Sequence, residues 1–233
     1  MNFIPYISVH FLETKVEEWI IFQNDHWATL HKLDLYFSEY GINPEIFYSL
    51  GENKLFFSKL QDLSFYLGPI SELNTENAIA LLKILAKNAT ELSALKLDGF
   101  YSGYEPQLLH ALICIIKSQE QLRQFSLVGG GIPKEFYGII SALENQKILR
   151  IKDCNNVNIL ETSLNTLEIT NHMLYSSTIV KILEKSGTLL QRLKLVSTYN
   201  KLQEEPLLLE TLKSFCPNIT YLCISDVDFS HDT

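Results

Sequence analysis

Three consecutive glycines, Gly129 to Gly131, stand in the stretch LRQFSLVGGGIPKEF between an apolar run and a segment that opens with Pro133. An apolar strand, a glycine loop and a helix in this order are typical of sites whose backbone N–H groups hold a phosphate. The dinucleotide-binding pattern G-x-G-x-x-G fails here, because Lys134 stands where the third glycine belongs. The P-loop pattern fails as well, since no Gly-Lys-Ser/Thr follows at the required spacing. We therefore interpret the glycines as a flexible connector, with an anion site as the lesser alternative.

The other residue types that do chemistry are not spaced for it. The histidines show neither H-x-x-x-H nor H-E-x-x-H spacing, and His26 and His31 lie five residues apart on either side of Trp27. Adjacent carboxylates such as Glu204 and Glu205 point about 100° apart on a helix, and no G-x-S-x-G elbow occurs. The four cysteines form no C-x-x-C pair, and we expect buried, reduced thiols. We therefore predict that the protein is not an enzyme. We expect no catalytic, cofactor-binding or metal-binding residues and no cofactor.

Composition and charge exclude several classes of protein. The chain has 233 residues, 46% of them apolar, which suffices for one large domain or one elongated array. Its formal net charge of -8 argues against general binding of nucleic acid, which needs a basic face. The sequence contains no apolar run long enough to span a membrane, and its first residues lack the basic leader of a signal peptide. We predict a cytoplasmic or nuclear protein that contacts neither nucleic acid nor membrane.

An apolar pattern, L-x-x-L-x-L with Ile or Phe tolerated, recurs along the chain. Its middle positions are separated by 30, 32, 30, 24, 18, 26 and 29 residues, a spacing typical of repeat architectures. One copy is degraded, because Gln146 stands at its first position. The eight triplets are Leu30/Leu33/Leu35, Leu60/Leu63/Phe65, Leu92/Leu95/Leu97, Leu122/Phe125/Leu127, Gln146/Leu149/Ile151, Leu164/Leu167/Ile169, Leu190/Leu193/Leu195 and Ile219/Leu222/Ile224.

Amphipathic segments with helical signals lie between the triplets. Pro106 stands in the first turn of one, Gly187 ends another, and Glu204 and Glu205 precede a third. Each repeat is therefore predicted to be a short strand followed by a helix, and neighbouring repeats bury each other's apolar edges by stacking. The predicted helical segments are NTENAIALLKILAKNAT, EPQLLHALICIIKSQEQ, PKEFYGIISALENQ, SSTIVKILEKSG and EEPLLLETLKSFCPN.

From about Leu30 to Ile224, this pattern resembles leucine-rich repeats of the long α/β kind found in ribonuclease-inhibitor-like proteins. The resemblance implies an α/β solenoid of about eight irregular repeats, with a curved parallel sheet on the concave side and helices on the convex side. It divides the chain into an N-terminal helical or capping segment, 1–29, and a leucine-rich-repeat array, 30–233. The family's Asn or Cys, three residues after the third anchor, is present only as Cys154. We therefore expect the hydrogen-bonded ladder of that position to be largely missing.

The residues between the anchors are predicted to face the concave surface, because side chains alternate across a strand. The early strands offer acids and tyrosines there, and the later strands offer arginines and lysines. A face with both signs of charge and aromatic anchors suits a protein or peptide ligand. An ordinary solvated sheet face without a ligand is the alternative. The predicted partner-binding residues are Asp34, Tyr36, Asp62, Tyr66, Lys96, Asp98, Arg150, Lys152, Arg192 and Lys194.

Three phrases resemble the repeat regions of fungal F-box/leucine-rich-repeat proteins over roughly residues 55–230: LLKILAKNATELSALKLDGF, LLHALICIIKSQEQLRQFSLVGGG and EFYGIISALENQKILRIKDC. The resemblance implies recruitment of a protein substrate to an SCF-type ubiquitin ligase, with a Skp1-like adaptor bound only if an F-box lies upstream. The first 33 residues do not fit an F-box. Two hypotheses stay open: a substrate-recognition part of such a ligase, truncated or not, and a stand-alone scaffold or inhibitor with the same repeats.

Overall fold

A computed structural model of the chain describes residues 7–9, 30–37, 57–67, 72–99, 106–129, 147–154, 164–171, 175–197 and 205–225. The chain divides into two compact units, Met1–Leu122 (unit 1) and Arg123–Thr233 (unit 2). Most of the predicted capping segment, 1–29, lies outside the described residues, and a boundary between residues 29 and 30 stays a prediction. So does the helix expected in PKEFYGIISALENQ, since none of its residues is described.

Unit 1 contains four parallel strands that are adjacent in chain order: β1 (Ile7–Val9), β2 (Lys32–Phe37), β3 (Asp62–Leu67) and β4 (Ala94–Asp98). Helix α1 (Glu72–Asn88) joins β3 to β4, and α2 (Pro106–Lys117) follows β4. Strand β1 was not expected from the sequence, because its three residues carry no anchor triplet. Its Ile7 lies opposite Leu33.

Unit 2 contains five parallel strands in chain order: β5 (Gln124–Val128), β6 (Ile148–Lys152), β7 (Thr166–Asn171), β8 (Arg192–Ser197) and β9 (Tyr221–Ser225). Helix α3 (Ser176–Ser186), continued by a 3-10 turn (Gly187–Leu189), joins β7 to β8, and α4 (Glu205–Phe215) joins β8 to β9. The strands follow chain order within each unit and do not close into a barrel. The prediction of an α/β fold with parallel strands is confirmed.

The anchor triplets form the core of each unit except at β9, where Ile219 and Ile224 are half-buried and Leu222 is exposed, so the predicted burial of this last triplet is wrong. In unit 1, Leu33 lies opposite Leu63, and Leu63 lies opposite Leu95; all three side chains are buried. The apolar faces of the helices are buried as well, as at Leu82 of α1 and Leu112 of α2. Removal of this apolar surface from water drives the stacking, because one strand and one helix cannot cover each other's apolar faces alone.

A second repeated feature lies two residues before six of the eight middle anchors. The backbone oxygen there accepts two N–H groups from the following described strand segment, at N···O distances of 2.8–3.1 Å. Such a shared carbonyl fixes the lateral register of two successive strands at the point where both begin. The residues with this carbonyl are His31 and Gln61 in unit 1, and Arg123, Lys147, Asn165 and Gln191 in unit 2.

The chain leaves several strands through a left-handed residue two positions after the third anchor. Gly99 (φ 73°), Gly129 (φ 92°) and Asp153 (φ 52°) all occupy this position. Gly129 donates its N–H to the carbonyl oxygen of Lys152 at 2.8 Å, so this N–H is used in hydrogen bonding between neighbouring repeats. For Gly129, the connector interpretation therefore accounts for the residue in full. Gly130 and Gly131 lie outside the described residues.

The polar ladder contains a side-chain hydrogen bond that the sequence pattern did not predict. Asn171 lies one residue before the position expected for the family's asparagine, and its buried Nδ2 donates to the carbonyl oxygen of Cys154 at 2.7 Å. Cys154 in turn lies near the carbonyl oxygens of Lys152 and Gly129, with Sγ···O distances of 3.2 and 3.4 Å. The expectation of a largely missing ladder overlooked Asn171, because the fixed spacing from the anchor does not allow for a strand one residue longer.

The cysteines differ in their surroundings, and the prediction that all are buried is wrong for the exposed Cys114 and for Cys223, which is only half-buried. Cys154 and Cys216 are buried, whereas Cys114 is exposed, because it lies on the outer face of α2 one turn after His110. Burial raises the pKa of the Cys154 thiol to about 12, against the smaller opposing effect of its hydrogen bonds to backbone oxygens.

We expect iodoacetamide to modify Cys114 rapidly at mildly alkaline pH and to leave Cys154 unmodified in the folded protein. The thiolate is the nucleophile, and a pKa of about 12 keeps Cys154 protonated under these conditions. Mass spectrometry of the alkylated chain checks this, with the denatured chain as the control in which both react. Equal modification of both cysteines in the folded state would contradict the described burial.

Candidate functional site

The side chains between the anchors of each strand point away from the apolar core. In unit 1, this places Asp34, Ser64 and Lys96 in one row across β2, β3 and β4, and Tyr36, Tyr66 and Asp98 in the next row. We call the polar side of these strands the unit 1 face. It contains six of the predicted partner-binding residues: Asp34, Tyr36, Asp62, Tyr66, Lys96 and Asp98.

Two tyrosines form the centre of the unit 1 face. The rings of Tyr36 and Tyr66 stack with centroids 4.0 Å apart and an interplanar angle of 4°. Neighbouring parallel strands lie about 4.8 Å apart, so opposite residues on β2 and β3 place the two rings face to face. Each ring is half-buried. The pair forms a rigid aromatic surface that loses little conformational entropy when a partner covers it.

A lysine and an aspartate of β4 extend this surface. Lys96 Nζ lies 4.7 Å from the centroid of the Tyr66 ring and 2.7 Å from Asp98 Oδ2. Burial alone lowers the pKa of Lys96, but the hydrogen bond and charge of Asp98 outweigh it, so that the pKa lies above its usual value. Burial and a hydrogen bond with Tyr36 raise the pKa of the Tyr66 hydroxyl, despite the opposing charge of Lys96. Lys96 is therefore cationic and Tyr66 neutral at physiological pH.

Asp34 and Asp62 differ in accessibility. Asp34 has only 5% of its surface exposed, and its carboxylate lies 4.0 Å from the Nζ of Lys32 on the same strand. Asp62 is exposed at the start of β3. Of these two predicted partner-binding carboxylates, Asp62 is therefore the accessible one.

In unit 2, the corresponding polar side of β6, β7 and β8 carries four cations around one anion. Glu168 lies between Arg150 on β6 and Lys194 on β8 in a single row. Arg150 Nε donates to Glu168 Oε2 at 2.8 Å. Lys152 is one row further along β6, and Arg192 is one row back along β8. We call Arg150, Lys152, Glu168, Arg192 and Lys194 the unit 2 face.

An aromatic side chain orders one of these cations. The guanidinium carbon of Arg192 lies 4.3 Å from the ring centroid of Tyr221, its neighbour on β9. A guanidinium stacked on a ring keeps its in-plane N–H groups available for a carboxylate. The alternation with the anchors places Glu168 and Tyr221 on the same face from the sequence alone, but the predicted list of partner-binding residues did not include them.

Within the described ranges, no three or more His, Cys, Asp or Glu side chains are grouped so that they could hold a metal ion. In the same part of the chain, no helix combines the length and apolar character needed to cross a bilayer. The arrangements that the described side chains do form are ion pairs, a tyrosine stack and cation–π contacts. These suit recognition of another polar surface.

Comparison of the chain with models of protein families, with curated proteins and with solved structures finds no match. The class that the geometry itself defines is an α/β protein with open parallel sheets, polar on one side and apolar on the other.

Proposed function

We propose that the chain is a protein-interaction module, and not an enzyme, and that the unit 1 and unit 2 faces bind a protein or peptide partner. The observation that carries the proposal is the arrangement of ion-paired and stacked side chains on the polar side of parallel strands. Pairs such as Tyr36 and Tyr66, or Arg192 and Tyr221, are already ordered by their neighbours, so binding costs less side-chain entropy. Tyr and Arg are also the residues that contribute most to binding energy at interfaces.

We further propose that the repeats form a leucine-rich-repeat solenoid of about eight irregular repeats, with these faces on its concave side. The anchor triplets support this, and so does the shared carbonyl that recurs two residues before the middle anchor in both units. The left-handed residue at a common position in three repeats adds to the same argument. A small-angle scattering profile tests the proposal, because an elongated curved array and a compact globule of the same mass differ in radius of gyration.

The resemblance to fungal F-box/leucine-rich-repeat proteins supports a more specific proposal, recruitment of a protein substrate to an SCF-type ubiquitin ligase in the cytoplasm or nucleus. Co-purification with a Skp1-like adaptor tests it. Binding of the adaptor would support the ligase role. A chain that captures its partner but no adaptor would be a stand-alone scaffold or inhibitor.

We expect simultaneous replacement of Arg150, Lys152 and Lys194 by Glu to weaken binding of a partner identified by cross-linking, without unfolding the protein. The three side chains are half-buried or exposed on the polar side of the sheet, so their replacement leaves the apolar core intact. Binding is measured by pull-down and folding by circular dichroism.

The matched control is Glu replacement of Lys181, Lys185 and Lys213, which are exposed on α3 and α4 and give the same change in net charge. Loss of binding in both triple variants would indicate a nonspecific charge effect. Unchanged binding in the first variant would refute the proposed role of the unit 2 face.

A further inference from the structure

We infer that the unit 2 face recognises a short acidic peptide segment of the partner, in which carboxylates recur along an extended chain. This inference rests on the proposed function, since it names the chemistry of the partner at one of the two proposed faces. Four side chains of the face are cationic and one is anionic, so the face carries a net positive charge.

The face is positive because cationic side chains are concentrated on it, whereas unit 2 as a whole is nearly neutral. Residues 123–233 contain 11 Lys and Arg and 12 Asp and Glu. Of the described acidic residues of unit 2, Glu184, Glu205 and Glu210 lie on α3 and α4, and Asp153 directly follows the last residue of β6. Within β6 to β8 themselves, Glu168 is the one acidic residue. Such a patch on an otherwise balanced surface attracts an anionic group to one place.

The hydrogen-bonding groups on this face are available to a carboxylate. Arg150 uses its Nε for Glu168, and among the described residues its two terminal nitrogens have no hydrogen-bond partner. Neither Lys152 nor Lys194 has an ion-pair partner within the described part of the chain. Guanidinium groups bind carboxylates in a planar, two-point geometry, and ammonium groups bind them as point charges.

The rows of the sheet give the spacing of the ligand. Arg150 and Lys194 are in the same row two strands apart, which corresponds to about 9–10 Å. Alternate side chains of an extended peptide recur at about 6.6 Å, and every fourth at about 13 Å. A peptide that crosses β6 to β8 therefore brings carboxylates within reach of several of the four cations at once, and one carboxylate can pair with Lys194 while Glu168 stays paired with Arg150.

A short acidic peptide fits this face better than a nucleic acid does. Residues 1–122 contain 8 Lys and Arg and 15 Asp and Glu, and the whole chain has a formal net charge of -8. A long polyanion would be repelled by this surplus of negative charge, because binding of nucleic acid needs an extended basic surface. A short peptide meets only the unit 2 face.

The test uses the full chain and a fluorescein-labelled decapeptide of alternating Glu and Ser, followed by fluorescence anisotropy at low ionic strength. We expect saturable binding that weakens as salt is added, and no binding of the matching decapeptide of alternating Lys and Ser. Replacing Arg150, Lys152 and Lys194 by Glu should weaken binding by about tenfold or more. The Lys181, Lys185 and Lys213 triple variant should bind like the native chain.

Glu168→Gln provides a test in the opposite direction. Removal of the central anion frees Arg150 and ends repulsion of the ligand, so we expect binding of the Glu–Ser peptide to tighten by about two- to fivefold. A merely structural role for the face would weaken binding in this variant or leave it unchanged. Either result would overturn the inference.

Three other outcomes would also overturn it. Equal binding of the Lys–Ser peptide would show that the face does not discriminate between anionic and cationic peptides. Binding of a short oligothymidylate more tightly than the Glu–Ser peptide would assign the face to nucleic acid. Self-association of the chain that the charge-reversal variant abolishes would make a second copy the occupant. If the captured partner is lost from the charge-reversal variant while the Glu–Ser peptide fails to bind the native chain, the proposed function stands and only the acidic-peptide inference fails.

Discussion

Leu193→Ala is expected to lower the free energy of unfolding by about 2–5 kcal/mol. Leu193 is the middle anchor of β8, none of its surface is exposed, and it lies between Leu167 and Leu222 in one apolar row. The substitution removes buried methyl groups and leaves a cavity that the neighbouring strands cannot fill, because their register is fixed by backbone hydrogen bonds. Leu95→Ala makes the same test in unit 1. Urea denaturation followed by circular dichroism measures the change.

Two control variants come from the same part of unit 2. Lys194→Ala alters the very next residue, on the polar side of the sheet, and we expect a change within about 0.5 kcal/mol. Leu222→Ala alters the anchor of β9, where 46% of the side chain is already exposed, and its cost should lie well below that of Leu193→Ala. Equal costs at Leu193 and Lys194 would contradict the assignment of inward and outward residues.

Gly99→Ala is the second substitution for which we expect a large loss of stability, about 2 kcal/mol or more. Gly99 has φ 73°, a left-handed conformation that costs an L-residue roughly 1–2 kcal/mol. An added Cβ would also clash with the carbonyl oxygen of Leu67, a backbone atom on the adjacent repeat that cannot move without disturbing β3. The variant should therefore melt at a lower temperature than the native chain, as measured by thermal denaturation.

Asp153→Gly is the matched control, because Asp153 occupies the corresponding position of another repeat with φ 52°. Glycine adopts this conformation without strain, so the backbone contribution of the substitution is favourable, by about 1 kcal/mol. We expect the net change at Asp153 to be small, since the side chain's own interactions are lost at the same time. A loss at Asp153 as large as that at Gly99 would contradict a conformational cause.

The strands were predictable because their anchors alternate with polar residues and recur at similar intervals. Even the degraded copy with Leu149 and Ile151 forms a regular strand, β6. Helices α2, α3 and α4 lie in the predicted segments, and Pro106 begins α2 as expected. Strand β1 was missed, since three residues give too little periodicity to be recognised.

The end of α3 at Gly187 was predicted correctly, but the physical reason for a glycine at this position differs from the expected one. It follows α3 directly, where the sequence predicts the end of a helix, but its φ of -67° is right-handed. A side chain is excluded there by close approach: an added Cβ would lie 2.6 Å from Cys216 Sγ and 2.7 Å from the backbone oxygen of Phe215. Sequence signals identify the helix end, whereas the packing of α4 explains the glycine.

The amino-acid sequence by itself determined, for most strand residues, which side chains enter the core and which face solvent, because that division follows from the two-residue period of a strand. The buried Asp34 and the exposed Leu222 are exceptions that the period does not predict. Only the tertiary structure decided which polar residues meet, as in the contacts of Tyr36 with Tyr66 and of Arg150 with Glu168. The buried amide of Gln119 is a further case, since it donates to the carbonyl oxygen of Ala89, 30 residues earlier. Such partners are distant in sequence and are brought together by lateral register, which depends on how whole repeats pack and not on any local pattern.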